Sequence, residues 1–179
     1  PASPVLVNLS ADSLKETSRT MVNMFSDGGG KISGSYTLQL GNMESLSMKE
    51  LMLKESKDEY IDEIKKAYRE NFTVTNAQLD SIHISGEPVT ISYELATKLE
   101  EDIVYFNPML QHGIKENPFA AATRFFPVEM PYATDDTYIF NMEVPEGYKV
   151  EELPQSTRVM LNDNEGMFEY LISAEDRKS

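Results

Sequence analysis

Between Asn117 and Gly166 almost every short aromatic or β-branched run is closed by proline or glycine: Asn117-Pro118-Phe119, Phe126-Pro127-Val128, Pro145-Glu146-Gly147-Tyr148, Glu151-Glu152-Leu153-Pro154 and finally Gly166. Proline fixes φ and removes a backbone donor, and glycine supplies tight turns, so a chain written this way is held to short strands and their corners. Few groups in this stretch are capable of catalysis. The pattern describes scaffold, and it suggests a piece of a larger protein.

The first half carries two other periods. Ile32, Gly34, Tyr36, Leu38 and Leu40 alternate with Ser33, Ser35, Thr37 and Gln39 after Asp27-Gly28-Gly29-Gly30. That is the repeat of a half-buried strand. Thr20 to Phe25 and Lys31 to Leu40 therefore read as a hairpin whose glycines supply the positive φ of its turn. A phosphate-cradling loop would need a helix after the glycines, whereas Lys31 enters a strand. From Asn42 to Asn71 the pattern becomes helical, with capping boxes at Ser47-Met48-Lys49-Glu50 and Ser56-Lys57-Asp58-Glu59. Two helices are expected, or one broken near Ser56, and Tyr60, Ile61, Ile64, Ala67 and Tyr68 form the apolar stripe of the second.

Further strands are expected at Val5 to Leu9, Phe72 to Val74, Leu79 to Ile84, Val89 to Thr97 and Ile103 to Phe106. Beyond the loop 107–122 they are expected near Arg124 to Val128, Tyr138 to Val144, Tyr148 to Glu151, Arg158 to Leu161 and Met167 to Ser173. The fold class is thus mainly β (α+β), most simply an antiparallel β-sandwich with one or two helices inserted around residues 44–71. The chain reads as a single domain over 1–179, the alternative being two lobes, 1–110 and 118–179, joined by the 107–122 loop.

Thirty acidic against 16 basic residues leave a net charge of −14, which repels phosphate backbones and anionic bilayers. The cations are scattered among acids, as in Lys65-Lys66 beside Asp62, Glu63 and Glu70, so neither nucleic acid nor membrane insertion is expected. The chain has no cysteine, which removes disulfides, thiolate catalysis and cysteine-based metal sites. Pro1-Ala2-Ser3-Pro4 lacks the charged and apolar regions of a signal peptide, so any targeting signal has been removed or lies upstream.

Two histidines exist, His83 and His112. His83 falls in an expected strand, and His112 lies beside Gly113 in the long loop, where binding residues concentrate. The acid clusters Glu100-Glu101-Asp102, Asp135-Asp136, Glu151-Glu152 and Asn162-Asp163-Asn164-Glu165 read as solvated turns, because neighbours on a strand point to opposite faces and cannot flank one bond of a sugar. In register with a calcium loop, Asn162 to Gly166 would put Leu161 at the first ligand position and Ile172 at the twelfth, so the spacing fails. No Gly-x-Ser-x-Gly elbow occurs. Asn8-Leu9-Ser10 and Asn71-Phe72-Thr73 match the glycosylation pattern, which matters only in a eukaryotic secretory chain. No catalytic residue, cofactor or metal site is therefore assigned. Tyr105, Phe106, His112, Phe119, Phe125, Tyr132 and Tyr138 flank the long loop and the proline-rich corner and form the candidate interaction surface, with Phe126 beside them.

Asn117-Pro118-Phe119, Arg124, Phe126-Pro127-Val128, Tyr132, Thr137-Tyr138, Pro145-Glu146-Gly147-Tyr148 and Glu151 through Pro154 resemble the signature of a domain of unknown function that follows the transglutaminase-like core in large secreted proteins of Bacteroidetes. The earlier half is similar in layout, with Gly34 in a strand after a glycine-rich turn and then the Tyr60-Ile61 helix. The resemblance implies an accessory domain beside a papain-like core whose Cys, His and Asp would carry any chemistry; nothing here matches that cysteine. It also implies a secreted, periplasmic or cell-surface location. Members of that family continue past Met167 to Ser173 with another strand and a helix, so the last strand here is expected to present an open edge. The function expected is a non-catalytic accessory or interaction domain of a transglutaminase-like cell-envelope protein, partnered by such a core in cis or in trans. The alternatives are an independent glycan- or protein-binding module and a carboxylate-dependent hydrolase.

Overall fold

A computed structural model describes residues 15–113, 116, 120, 123, 132–162 and 165–175. In chain order the elements are β1 (Lys15–Gly28), β2 (Lys31–Gln39), α1 (Asn42–Leu51), α2 (Lys57–Tyr68), β3 (Thr73–Asp80), β4 (Thr90–Lys98), β5 (Ala133–Met142), β6 (Thr157–Leu161) and β7 (Gly166–Tyr170). The first five strands form one sheet in the order β3-β4-β2-β1-β5, and β6 and β7 form a separate antiparallel hairpin. The class is mainly β with α+β content, and both helices fall where the helical period lies.

The β1–β2 hairpin follows from its sequence. Gly28, Gly29 and Gly30 all have positive φ, and the ladder then runs unbroken from Ser26 opposite Ile32 to Arg19 opposite Gln39. Register carries the alternation across the sheet. Tyr93, Tyr36, Val22 and Phe140 lie in one row, and Leu95, Gly34, Met24 and Met142 in the next. These side chains form the core with Ile32, Val74, Leu79, Val89 and Ile91, and α2 covers them with Tyr60, Ile61, Ile64 and the buried Tyr68. Ala67 falls outside that stripe and is exposed. The opposite face of the sheet presents polar side chains such as Ser33, Ser35, Thr37, Ser92 and Glu94, the pattern of a sheet covered on one side.

Several elements depart from the sequence reading. The sheet is mixed, because β5 lies parallel to β1, from Lys15 beside Ala133 to Met24 beside Met142. After β4 the chain passes to the far edge before pairing again, and a connection of that length leaves either strand direction open. The layer packed on the core side is built from the helices. Phe72 to Val74 and Leu79 to Ile84, expected as two strands, meet in the single strand β3. A bulge between Thr75 and Gln78, with Asn76 at φ 51°, absorbs the break. Ile103 to Phe106 and Tyr148 to Glu151 form no strand, and His83 sits in a turn instead of a strand. The Val5 to Leu9 and Arg124 to Val128 strands lie outside the described residues.

Helix α1 begins at Asn42, one turn before the Ser47 capping box, so Ser47 lies inside the helix and its hydroxyl donates to the Met43 carbonyl at 3.1 Å. The cap comes from another element. The buried carboxylate of Glu16 on β1 accepts the amides of Met43 at 3.0 Å and Glu44 at 2.8 Å, satisfying donors that a helix start leaves orphaned. The second capping box forms as read: Ser56 Oγ accepts the Glu59 amide at 3.2 Å, and Glu59 accepts the Ser56 amide at 2.9 Å. Those bonds hold the Glu59 carboxyl below the usual range.

Candidate interaction surface

The 99–113 connection is tied to the core by its side chains. Asn107 Oδ1 accepts the Met109 amide at 3.0 Å, and the Asn107 carbonyl accepts the Leu110 amide at 3.2 Å, which turns the chain. Gln111 Nε2 donates to the Ala67 carbonyl at 3.0 Å, satisfying an acceptor in the last turn of α2. The Tyr138 hydroxyl on β5 donates to the Pro108 carbonyl at 2.6 Å. Phe106 packs between Phe72 and Phe140, with ring centroids 6.4 and 5.5 Å away. The expected Ile103 to Phe106 strand is therefore a pinned coil whose alternation places Phe106 inward and Tyr105 outward.

The seven residues proposed from sequence separate accordingly. His112 and Tyr138 come together, their ring centroids 5.0 Å apart, and Tyr138 belongs to the margin of the core, whereas Phe106 packs between Phe72 and Phe140. Tyr105 projects into solvent, 95% exposed. Tyr132 is half-buried just before β5. Phe119 and Phe125 lie outside the described residues, as does Phe126.

Beneath His112 is an acidic corner. Ser18 Oγ donates to Asp136 Oδ1 at 2.7 Å, whereas the neighbouring Asp135 lies on the other face of the sheet and pairs with Lys15 at 2.5 Å. Burial, then the charges of Asp136 and Glu16, push the Glu44 carboxyl up, and His112 opposes them weakly. Among the described residues no group of three or more His, Asp or Glu side chains is arranged to hold a metal ion. His83 lines an open apolar groove with Leu46, Met52, Leu53 and Ile82. Its loop is held down by Lys49, whose ammonium donates to the carbonyls of Ile84 and Glu87 at 2.6 Å each.

The tyrosines inside the sheet serve packing. The Tyr36 and Tyr93 rings stack at 4.4 Å and 8°, and the Tyr93 hydroxyl donates to that of Tyr68 at 3.0 Å. Burial pushes the Tyr36 phenol up to about 12 and raises those of Tyr93, Tyr68 and Tyr138 as well. The buried hydroxyl of Thr20, close to Tyr36, makes no well-formed hydrogen bond of its own among the described residues.

Among the described residues, the β6–β7 hairpin displays five large apolar side chains outward: Val159, Met160, Leu161, Met167 and Phe168. Its register pairs Val159 with Phe168, Met160 with Met167, and Arg158 with Glu169. One face thus carries Val159, Leu161 and Phe168, 55%, 63% and 62% exposed, and the other carries Met160 and Met167 beside the Arg158–Glu169 ion pair. The hairpin is closed at one end by Asn162 at φ 50°. At the other, Ser156 Oγ accepts the Ile172 amide at 3.1 Å. Sequence reasoning marked the last strand as an open edge yet left Val159, Met160, Leu161, Met167 and Phe168 out of the interaction surface. The available signal was the uninterrupted apolar run Val159-Met160-Leu161, which in a strand means that both faces are meant to be covered.

Residues 102–178, less than half of the chain, match the model of a family described as a domain of unknown function with solved structure (DUF3858). The match takes in β5, β6 and β7. No curated protein and no solved structure matches the chain. No helix among the described residues is long and apolar enough to cross a membrane.

Proposed function

We propose that this chain is a non-catalytic accessory domain that makes protein contacts beside a transglutaminase-like, papain-like core in a cell-envelope protein. The observation that carries the reading is the β6–β7 hairpin, whose two faces both present large apolar side chains to water within the region that matches the domain family. A two-stranded hairpin has no interior of its own, so apolar residues on both faces fit a surface meant to be covered. The sequence resemblance supplies the neighbouring core and the envelope location. The independent glycan-binding alternative draws less support, because two of the aromatics it would use are already engaged, Tyr138 against the core and Phe106 between Phe72 and Phe140.

The test adds the purified chain to a separately expressed transglutaminase-like core and follows the core's thermal unfolding and turnover. The expected result is a shift in the core's stability or rate, with no turnover by the chain alone. Turnover by the chain alone, abolished by His112→Ala or by neutralising one acidic side chain, overturns the proposal.

A further inference from the structure

Building on the accessory-domain reading, we infer that the β6–β7 hairpin takes up an extended segment of a partner protein as an added strand, and that this segment alternates apolar side chains between basic flanks. The first ground is the state of the strand edges. In the five-stranded sheet the β3 edge is blunted by the bulge between Thr75 and Gln78. The β6–β7 ladder runs without a shift from Thr157 opposite Tyr170 to Leu161 opposite Gly166, and no proline or lysine occurs in either strand. Those are the devices that ordinarily discourage edge pairing, and among the described residues no third strand joins the hairpin. Each strand therefore offers outward amides and carbonyls, which is how an extended peptide is received by strand addition.

The second ground is side-chain chemistry. An added strand lying beside Val159 and Phe168 would place alternate side chains against them on one face and against Met160 and Met167 on the other. The third is charge. Residues 143–175 contain eight carboxylates and two cations. Both cations are already paired, Lys149 with Glu151 and Arg158 with Glu169. Carboxylates thus outnumber cations in this part of the sequence, which favours lysine or arginine at the ends of the incoming strand. The same charge opposes a second copy of this chain, at −14, as the occupant.

The test uses the full chain and three short synthetic peptides: alternating valine and threonine with lysine pairs at both ends, the same with glutamate pairs, and the lysine form with alternate backbone amides methylated. The expected result is that the lysine peptide binds and shifts the amide resonances of residues 157–161 and 166–170. Affinity should fall about tenfold or more with glutamate ends, with methylated amides, and with the exposed-site double variant Val159→Thr/Phe168→Thr. Equal binding of the lysine and glutamate forms, binding that leaves those amides unmoved, or no binding of any peptide overturns the inference. So does a dimer in sedimentation that Phe168→Lys dissolves. Failure here with the core's stability still responding to the chain would leave the accessory-domain reading standing and remove only strand addition.

Discussion

Glu16 illustrates how much one side chain can do far from its own strand. Its carboxylate is buried and takes two backbone amides of α1, so Glu16→Ala removes a charged acceptor and orphans both donors. A loss of about 2 kcal/mol in urea unfolding is expected, with Glu16→Gln losing less. Gly41 belongs to the same device, since a Cβ there would run into the Glu16 carboxylate. Gly34 faces a stricter limit: a Cβ would collide with the Asn23 carbonyl and come within 2.8 Å of Met24 Cα, both in the neighbouring strand backbone. Gly34→Ala should destabilise by about 3 kcal/mol or fail to fold. Tyr36 sets an alkaline limit. Below pH 10 its phenol is neutral in both states; between 10 and about 12 only the unfolded chain ionises it. The stability tied to its burial is thus fully present below 10 and is lost as pH rises toward 12, at about 1.4 kcal/mol per pH unit. The phenolate absorbance that Tyr36→Phe removes should appear together with the loss of circular dichroism, and a Tyr36 contribution well before unfolding would contradict this.

At the scale of elements, the capping box of α2 and the β6–β7 hairpin make opposite predictions. Ser56→Ala removes the side-chain arm of the box while leaving the backbone amide of residue 56 to Glu59, and should cost about 1 kcal/mol, read as a lower urea midpoint. Val159→Thr/Phe168→Thr removes apolar groups that already face water, so the midpoint should stay within about 0.5 kcal/mol per site. Leu95→Ala, 1% exposed in the core, should cost about 3 kcal/mol. A large loss in the hairpin variant would show that something packs on those faces within the chain itself. Elements with a clean local period were legible in sequence. Ile32 to Leu40 alternates and is a strand, and Ser56 to Tyr68 is capped and amphipathic and is a helix. The Ser47 box was misleading because a distant carboxylate caps α1 one turn earlier, and no local pattern reports a partner 27 residues away. Ile103 to Phe106 alternates like a strand, yet Phe106 goes inward through ring contacts instead of a ladder.

Across the whole molecule the net charge of −14 sets how it meets partners. Association with a basic partner should be fast at low ionic strength and slow as salt screens it, the effect falling largely on the on-rate, since exposed charges lose their reach beyond about 8 Å at physiological salt. A rate measured by stopped flow that does not change with salt would leave charge without a role in recognition. The same charge repels a second copy of the chain.

Residues alone determined the class, the Gly28 to Gly30 hairpin turn and the α2 box, because each is a matter of φ preference, period or local hydrogen bonding within a few positions. Tertiary structure alone decided that β5 returns parallel to β1, that Glu16 caps α1, that Tyr138 faces the core and that Phe106 packs between Phe72 and Phe140. These are contacts between segments far apart in the chain, where direction and register are chosen by the total packing of the sheet and not by any neighbourhood in the sequence.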